Sequence, residues 1–83
     1  MKAQLRKSAQ KDLNKLDKSV TKQLLETLKT LENFPNVSNC KKLVNFDPAY
    51  IMRSGDYRIL FDVVEDIIYI ARILHRKDSY KVK

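Results

Sequence analysis

The apolar residues of this chain change spacing once, and that change constrains the fold more than any other feature. Up to Leu31 they recur at three and four residues; from Tyr50 onward they recur mostly at two. The first spacing is that of a helix with one buried face and the second that of strands. Within 83 residues there is room for one domain, spanning 1–83, in which helices cover one face of a sheet.

Residues 8–34 carry the helical pattern. Ser8 is placed to cap a short first helix with Ala9, Leu13 and Leu16 on one side. Asp17 or Ser19 can cap a longer second helix. There Val20, Leu24, Leu28 and Leu31 form one stripe, and Leu25 widens it. Asn33-Phe34-Pro35-Asn36 ends this helix, because proline cannot continue it and disfavours helical geometry just before itself. Ala3 to Arg6 can form a short edge strand ahead of the helices. Residues 36–48 read as a loop, tacked to the core by Leu43, Val44 and Phe46.

The runs Tyr50–Arg53, Tyr57–Val64 and Ile67–His75 are rich in Ile, Val, Tyr and Phe and read as three strands of a meander. Ser54-Gly55 and Glu65-Asp66 are the expected turns. The expected fold is α+β in the order β-α-α-β-β-β, an N-terminal short strand and helical hairpin packed on one face of a small antiparallel sheet. Strict alternation with two-residue turns pairs Arg53 with Asp56, Ile51 with Arg58, Val64 with Ile67 and Arg58 with Ile73. It puts Ala49, Ile51, Arg53, Arg58, Ile73 and His75 on the open face. Ile59, Phe61, Val63, Ile68, Ile70 and Leu74 then meet the helices.

The charge of +7 calls for a polyanionic or acidic partner, or serves solubility alone. Lys11, Lys15, Lys18 and Lys22 step by four, three and four, which makes either a solvated helix face or a nucleic-acid contact. Arg53 and Arg58 either pair with Asp56 and Asp62 or hold phosphate oxygens. His75 either makes a surface hydrogen bond or transfers protons near neutral pH. Two arginines, a histidine and the nearby Tyr80 contain the parts that an RNA cleavage without metal requires. One cysteine, Cys40, and one histidine make neither an internal disulfide nor, by themselves, a metal site. No apolar run is long enough to cross a bilayer, and the N-terminus lacks the apolar core of a signal peptide, so the expected location is the cytoplasm.

The segment Arg53-Ser54-Gly55-Asp56-Tyr57-Arg58-Ile59-Leu60-Phe61, the later His75-Arg76-Lys77-Asp78-Ser79-Tyr80 and the helical stretch before them resemble the RelE/ParE superfamily of toxins from prokaryotic toxin–antitoxin modules. The resemblance covers nearly the whole chain. Its RelE-like branch implies metal-independent, ribosome-dependent cleavage of messenger RNA by the neighbouring 2′-hydroxyl, with no cofactor. It implies that Arg58 and Arg76 support the phosphate, that Tyr80 orients the nucleotide, and that His75 acts as acid or base. Arg53, Lys77 and Lys81 are the expected RNA contacts. Ala49 and Ile51 stand where RelE-type relatives carry lysines, which shifts weight to His75 and keeps open the ParE-like alternative, a toxin that binds DNA gyrase without an RNase site. A basic RNA-binding protein without toxicity is the third reading. Either toxin implies a cognate antitoxin, laid as a helix over the helix–sheet groove or added as a strand at an exposed edge.

Overall fold

The computed structural model describes residues 1–43 and 48–79. The chain runs β1 (Lys2–Leu5), α1 (Lys7–Asn14), α2 (Lys18–Leu31), β2 (Cys40–Lys42), β3 (Tyr50–Ser54), β4 (Tyr57–Val64), β5 (Ile67–His75) and α3 (Arg76–Ser79). The strands form one sheet in the order β1-β5-β4-β3-β2. The expected α+β architecture and meander are present, with two additions. The sheet is mixed, because β1 pairs parallel to β5, and β2 arises inside the segment read as a loop. Three residues with two lysines give no period to detect, so β2 is specified by its partner β3 rather than by its own pattern. Val44 and Phe46 lie outside the described residues.

The apolar stripe behaves as its spacing demands. Leu24, Leu28 and Leu31 are buried, joined by Ala9 and Leu13 from α1 and by Met52, Ile59, Phe61, Ile68, Ile70 and Ile73 from the sheet. Each fully buried large side chain in this layer contributes about 1.5–3 kcal/mol by transfer from water. Phe34, just past α2, sets its ring edge-on to Tyr50 and Phe61, at 5.2 and 5.7 Å between centroids. That contact fastens the end of the helical hairpin to the sheet. Leu25 does not join the core: it is 42% exposed.

Ser8 does not cap α1, whereas Asp17, one of the two residues expected to cap α2, does occupy that position. The N-cap positions are Arg6 and Asp17, without side-chain cap bonds. Ser8 instead donates its hydroxyl to the Ala71 carbonyl, 2.7 Å away on β5. A tertiary acceptor has taken the group that local sequence reserved for the helix end.

The turns and register decide what shares a face. The first hairpin turn is Gly55-Asp56, not Ser54-Gly55: Ser54 pairs with Tyr57, and Arg53 opposes Arg58. Gly55 has φ 57°, the geometry that glycine supplies at the first central position of a type II′ turn. Because each pair moves by two in its index sum, the faces of β3 and β4 stay as expected. The second turn, Glu65-Asp66, is as read, with Val64 opposite Ile67. Further along, Phe61 pairs with Ile70 but Leu60 pairs with Arg72, which leaves Ala71 as an extra residue in β5. This bulge reverses parity beyond it. Ile73 turns into the helix-side core, and Leu74 turns to the other face. Leu60 and Leu74 are buried there, outside the helix-side cluster.

α1 closes over the bulge. Beyond β1 the edge of β5 would present unpaired backbone groups. Asp12 accepts from the Ile73 amide at 2.9 Å and from the Arg72 guanidinium through two bonds of 2.8 and 3.1 Å. The Asp12 side chain is only 11% exposed, so its charge is held by this pair of partners rather than by water. That bond to Asp12 also raises the already high pKa of Arg72. Replacing Asp12 by alanine leaves the Ile73 amide without its acceptor while the half-exposed Arg72 turns to water, and is expected to destabilise the domain by about 1–3 kcal/mol, read by urea denaturation.

Candidate functional site

The open-face ends of β3 and β4 and the start of α3 meet around the Gly55-Asp56 turn. Arg53 and Arg58 are direct cross-strand partners on the face away from the helices. Like charges so placed repel and weaken the hairpin. The aspartates that could have neutralised them are occupied elsewhere. Asp62 accepts the Ala49 amide at 2.7 Å, and Asp56 lies against Arg76, with Nε to Oδ1 at 3.9 Å. Among the described residues neither Arg53 nor Arg58 forms an ion pair. The surface-pairing alternative for these two arginines is therefore corrected.

Backbone carbonyls orient the guanidinium of Arg58. Its Nη1 donates to Tyr57 at 3.2 Å and reaches Gly55 at 3.5 Å. The amide of Arg76 donates to the next carbonyl of the same turn, Asp56, at 2.7 Å. One tight turn thus ties Arg58 and Arg76 to a common frame. Arg53 is exposed, as are Arg76 and Lys77. A guanidinium offers a rigid fork of donors and keeps its charge, so three of them around one turn suit a phosphodiester better than a neutral ligand.

His75 does not share this face. It opposes Tyr57, which opposes Ser54, and Ser54 is 3.0 Å from the Thr27 hydroxyl on α2. The bulge at Ala71 is the reason: it moves His75 to the helix side, where its ring stands edge-on to Tyr57 at 5.4 Å. Its Nδ1 accepts from the Lys77 amide at 3.2 Å. The expected convergence of the imidazole with Arg53 and Arg58 is corrected accordingly. Tyr80 and Lys81 lie outside the described residues.

Sequence reading gave one participant the wrong partner and missed another. Asp56 anchors Arg76, and Asp12 holds the strand that carries His75. Asp12 lies 61 residues from Ile73, so no local pattern could reveal it. Cys40 is half-buried, and burial pushes its thiol above the usual range, which makes it a poor nucleophile. Among the described residues no three His, Cys, Asp or Glu side chains gather as a metal site, and no helix is long and apolar enough to cross a membrane.

The model of the ParE toxin of the type II toxin–antitoxin system parDE matches residues 3–80. The toxin RelE3 of Methanocaldococcus jannaschii is 30% identical over 84 residues, which cover 96% of each chain. Among solved structures, the toxin–antitoxin complex RelBE2 of Mycobacterium tuberculosis is similar at a TM-score of 0.77 and 25% identity, over 90% of this chain and 96% of that one. The RelB–RelE antitoxin–toxin complex of Methanococcus jannaschii is similar at 0.73 and 28% identity, over 93% and 94%. The isolated RelE toxin of E. coli, at 0.72 and 18% identity over 96% and 95%, shares the fold.

If the opposed arginines are held together against their repulsion, Arg53→Gln stabilises the protein by a few tenths of a kcal/mol at low ionic strength, and the gain vanishes near 0.5 M salt. Thermal unfolding at both salt concentrations measures it.

Proposed function

This chain belongs to the ParE family of toxins from type II toxin–antitoxin systems, within the RelE/ParE superfamily, and we propose that it cleaves messenger RNA on the ribosome, without metal. The observation that carries this reading is the Arg53–Arg58 pair, opposed on the open face without an acidic partner among the described residues, beside the turn that also holds Arg76. In the reaction the ribose 2′-oxygen forms a bond to the adjacent phosphorus and the bond to the 5′-oxygen breaks. The proton lost from the 2′-hydroxyl balances the one gained by the leaving oxygen, and the products are a cyclic phosphate and a free 5′-hydroxyl. Negative charge builds on the phosphorus oxygens at the transition state. Arg58 and Arg76 answer that charge, and their anchored positions reduce reorganisation at the moment of reaction. Arg53 and Lys77 bind the flanking backbone. The roles of Tyr80, orienting the nucleotide, and of Lys81, binding RNA, rest on the superfamily resemblance.

A second reading, inhibition of DNA gyrase, is favoured by the match to the ParE model and by uncharged Ala49, just before β3, and Ile51, on β3 itself. One experiment separates the two. With translating ribosomes, new messenger ends within codons are expected, and Arg58→Ala or Arg76→Ala should lower the cleavage rate more than tenfold. No cleavage by wild type, together with loss of supercoiling when purified gyrase is added, would favour the second reading instead.

The partner that neutralises this toxin is read as an antitoxin, as in the complexes of its structural relatives. A groove of about 760 Å³ runs between β1 and the helical hairpin. Its floor includes Leu5, Leu13 and Leu28, and its rim carries Lys18, Lys22 and Lys29 together with Glu26 and Glu32, beside exposed Leu25. An apolar floor within a mixed rim, three lysines against two glutamates, fits an amphipathic helix that sets acidic residues against the lysines. Leu25→Asp should weaken binding of the coexpressed antitoxin at least thirtyfold, measured by titration calorimetry. Unchanged affinity would place the contact elsewhere, with the β2 edge the next site to test.

A further inference from the structure

We propose that His75 is a positioning residue: it caps α3 through Nδ1 and so sets the place of Arg76 beside the Gly55-Asp56 turn. The inference rests on the nuclease reading for its consequence but not for its geometry. His75 is the residue immediately before α3, and its Nδ1 accepts from the amide of the second helical residue, Lys77, at 3.2 Å. That is the bond a serine or asparagine makes at an N-cap, here made by a ring nitrogen. The first amide of α3, that of Arg76, is taken by the Asp56 carbonyl at 2.7 Å. Together the two bonds satisfy the first two donors of the helix and orient its opening turn against the β3–β4 hairpin.

The side of the sheet argues against direct contact with the reacting phosphate. His75 opposes Tyr57 on the helix side, whereas Arg53 and Arg58 project from the other. The edge-on contact with the Tyr57 ring at 5.4 Å holds the imidazole plane, so Nδ1 stays aimed at the Lys77 amide. A nitrogen that accepts carries no proton, which places the ring proton on Nε2. The ring thereby links three elements: β4 through Tyr57, β5 through its own backbone, and α3 through its cap. Arg76 is the next residue along the chain, and its guanidinium meets Asp56 on the same turn that orients Arg58. A change in how α3 begins moves Arg76 and leaves Arg58 in place.

Two substitutions separate a cap from a proton-transfer group. His75→Asn keeps an acceptor at the cap position and loses the imidazole. His75→Phe keeps a ring against Tyr57 and loses the acceptor. The proposal expects Asn to retain kcat for messenger cleavage within threefold and Phe to lose at least tenfold in kcat. In an Arg76→Ala background, Phe should have no further effect, because both changes act through one guanidinium. In the toxin without RNA, hydrogen exchange should show the Lys77 amide protected in wild type and Asn but not in Phe, and nitrogen-edited spectra should show the Nε2–H tautomer. A His75→Asn variant as inactive as Phe, with its Lys77 amide still protected, would overturn the proposal and make the imidazole an acid–base group. An unprotected Lys77 amide in wild type would overturn it as well. If wild type cleaves no messenger RNA, the nuclease reading fails by itself, and the exchange and tautomer measurements still decide whether His75 caps α3.

Discussion

Opposite Leu60 and Phe61 of β4, strand β5 carries one residue more than pairing uses, and α1 holds that extra residue in place. Ser8 donates to the Ala71 carbonyl, and Asp12 takes the Ile73 amide and the Arg72 guanidinium. A bulge leaves local backbone groups without ladder partners, and at a strand edge they would otherwise face solvent or another chain. The polar side of a short amphipathic helix supplies the partners here. Everything beyond the bulge follows from it: Ile73 enters the core, Leu74 leaves it, and His75 changes sides.

Not every local conflict in the molecule lies where function is read. Arg53 opposes Arg58, two aspartates within reach are committed elsewhere, and Glu65 takes a φ of 58° that suits glycine better. The Glu65 turn lies at the far end of β4 and touches none of the site residues. The arginine pair is different, because a phosphate between the two cations attracts both and outweighs their repulsion. Stability given up at this hairpin end is stability that an anionic ligand can restore.

The helical hairpin, the meander and the faces of β3 and β4 were legible because each buried one side against the other, and burial writes a period into sequence. Leu24, Leu28 and Leu31 declare α2, while Ile59 and Phe61 declare the covered side of β4. β2 was not legible, since a strand of Cys40, Lys41 and Lys42 holds its place by pairing with β3 alone. The Ser8 cap was misread for a related reason: its hydroxyl had a better acceptor 63 residues away. In the site, Arg53 and Arg58 share the open face as alternation implied, and Arg76, which strict alternation put on the other side, is brought to the same turn by the Asp56 carbonyl. His75 does not share that face, because alternation holds only while every residue is paired, and Ala71 is not.

The central claim is that cationic groups from β3, β4 and the start of α3 gather at the Gly55-Asp56 turn to receive a phosphodiester. The most direct measurement is a backbone-amide titration of the toxin with a short single-stranded RNA that carries a 2′-methoxy group at every ribose, which blocks cleavage. The account predicts that the largest shifts fall on residues 53–58 and 75–77 and weaken together as salt rises. Shifts centred instead on the lysine-rich faces of α1 and α2, with the hairpin turn unmoved, would contradict it.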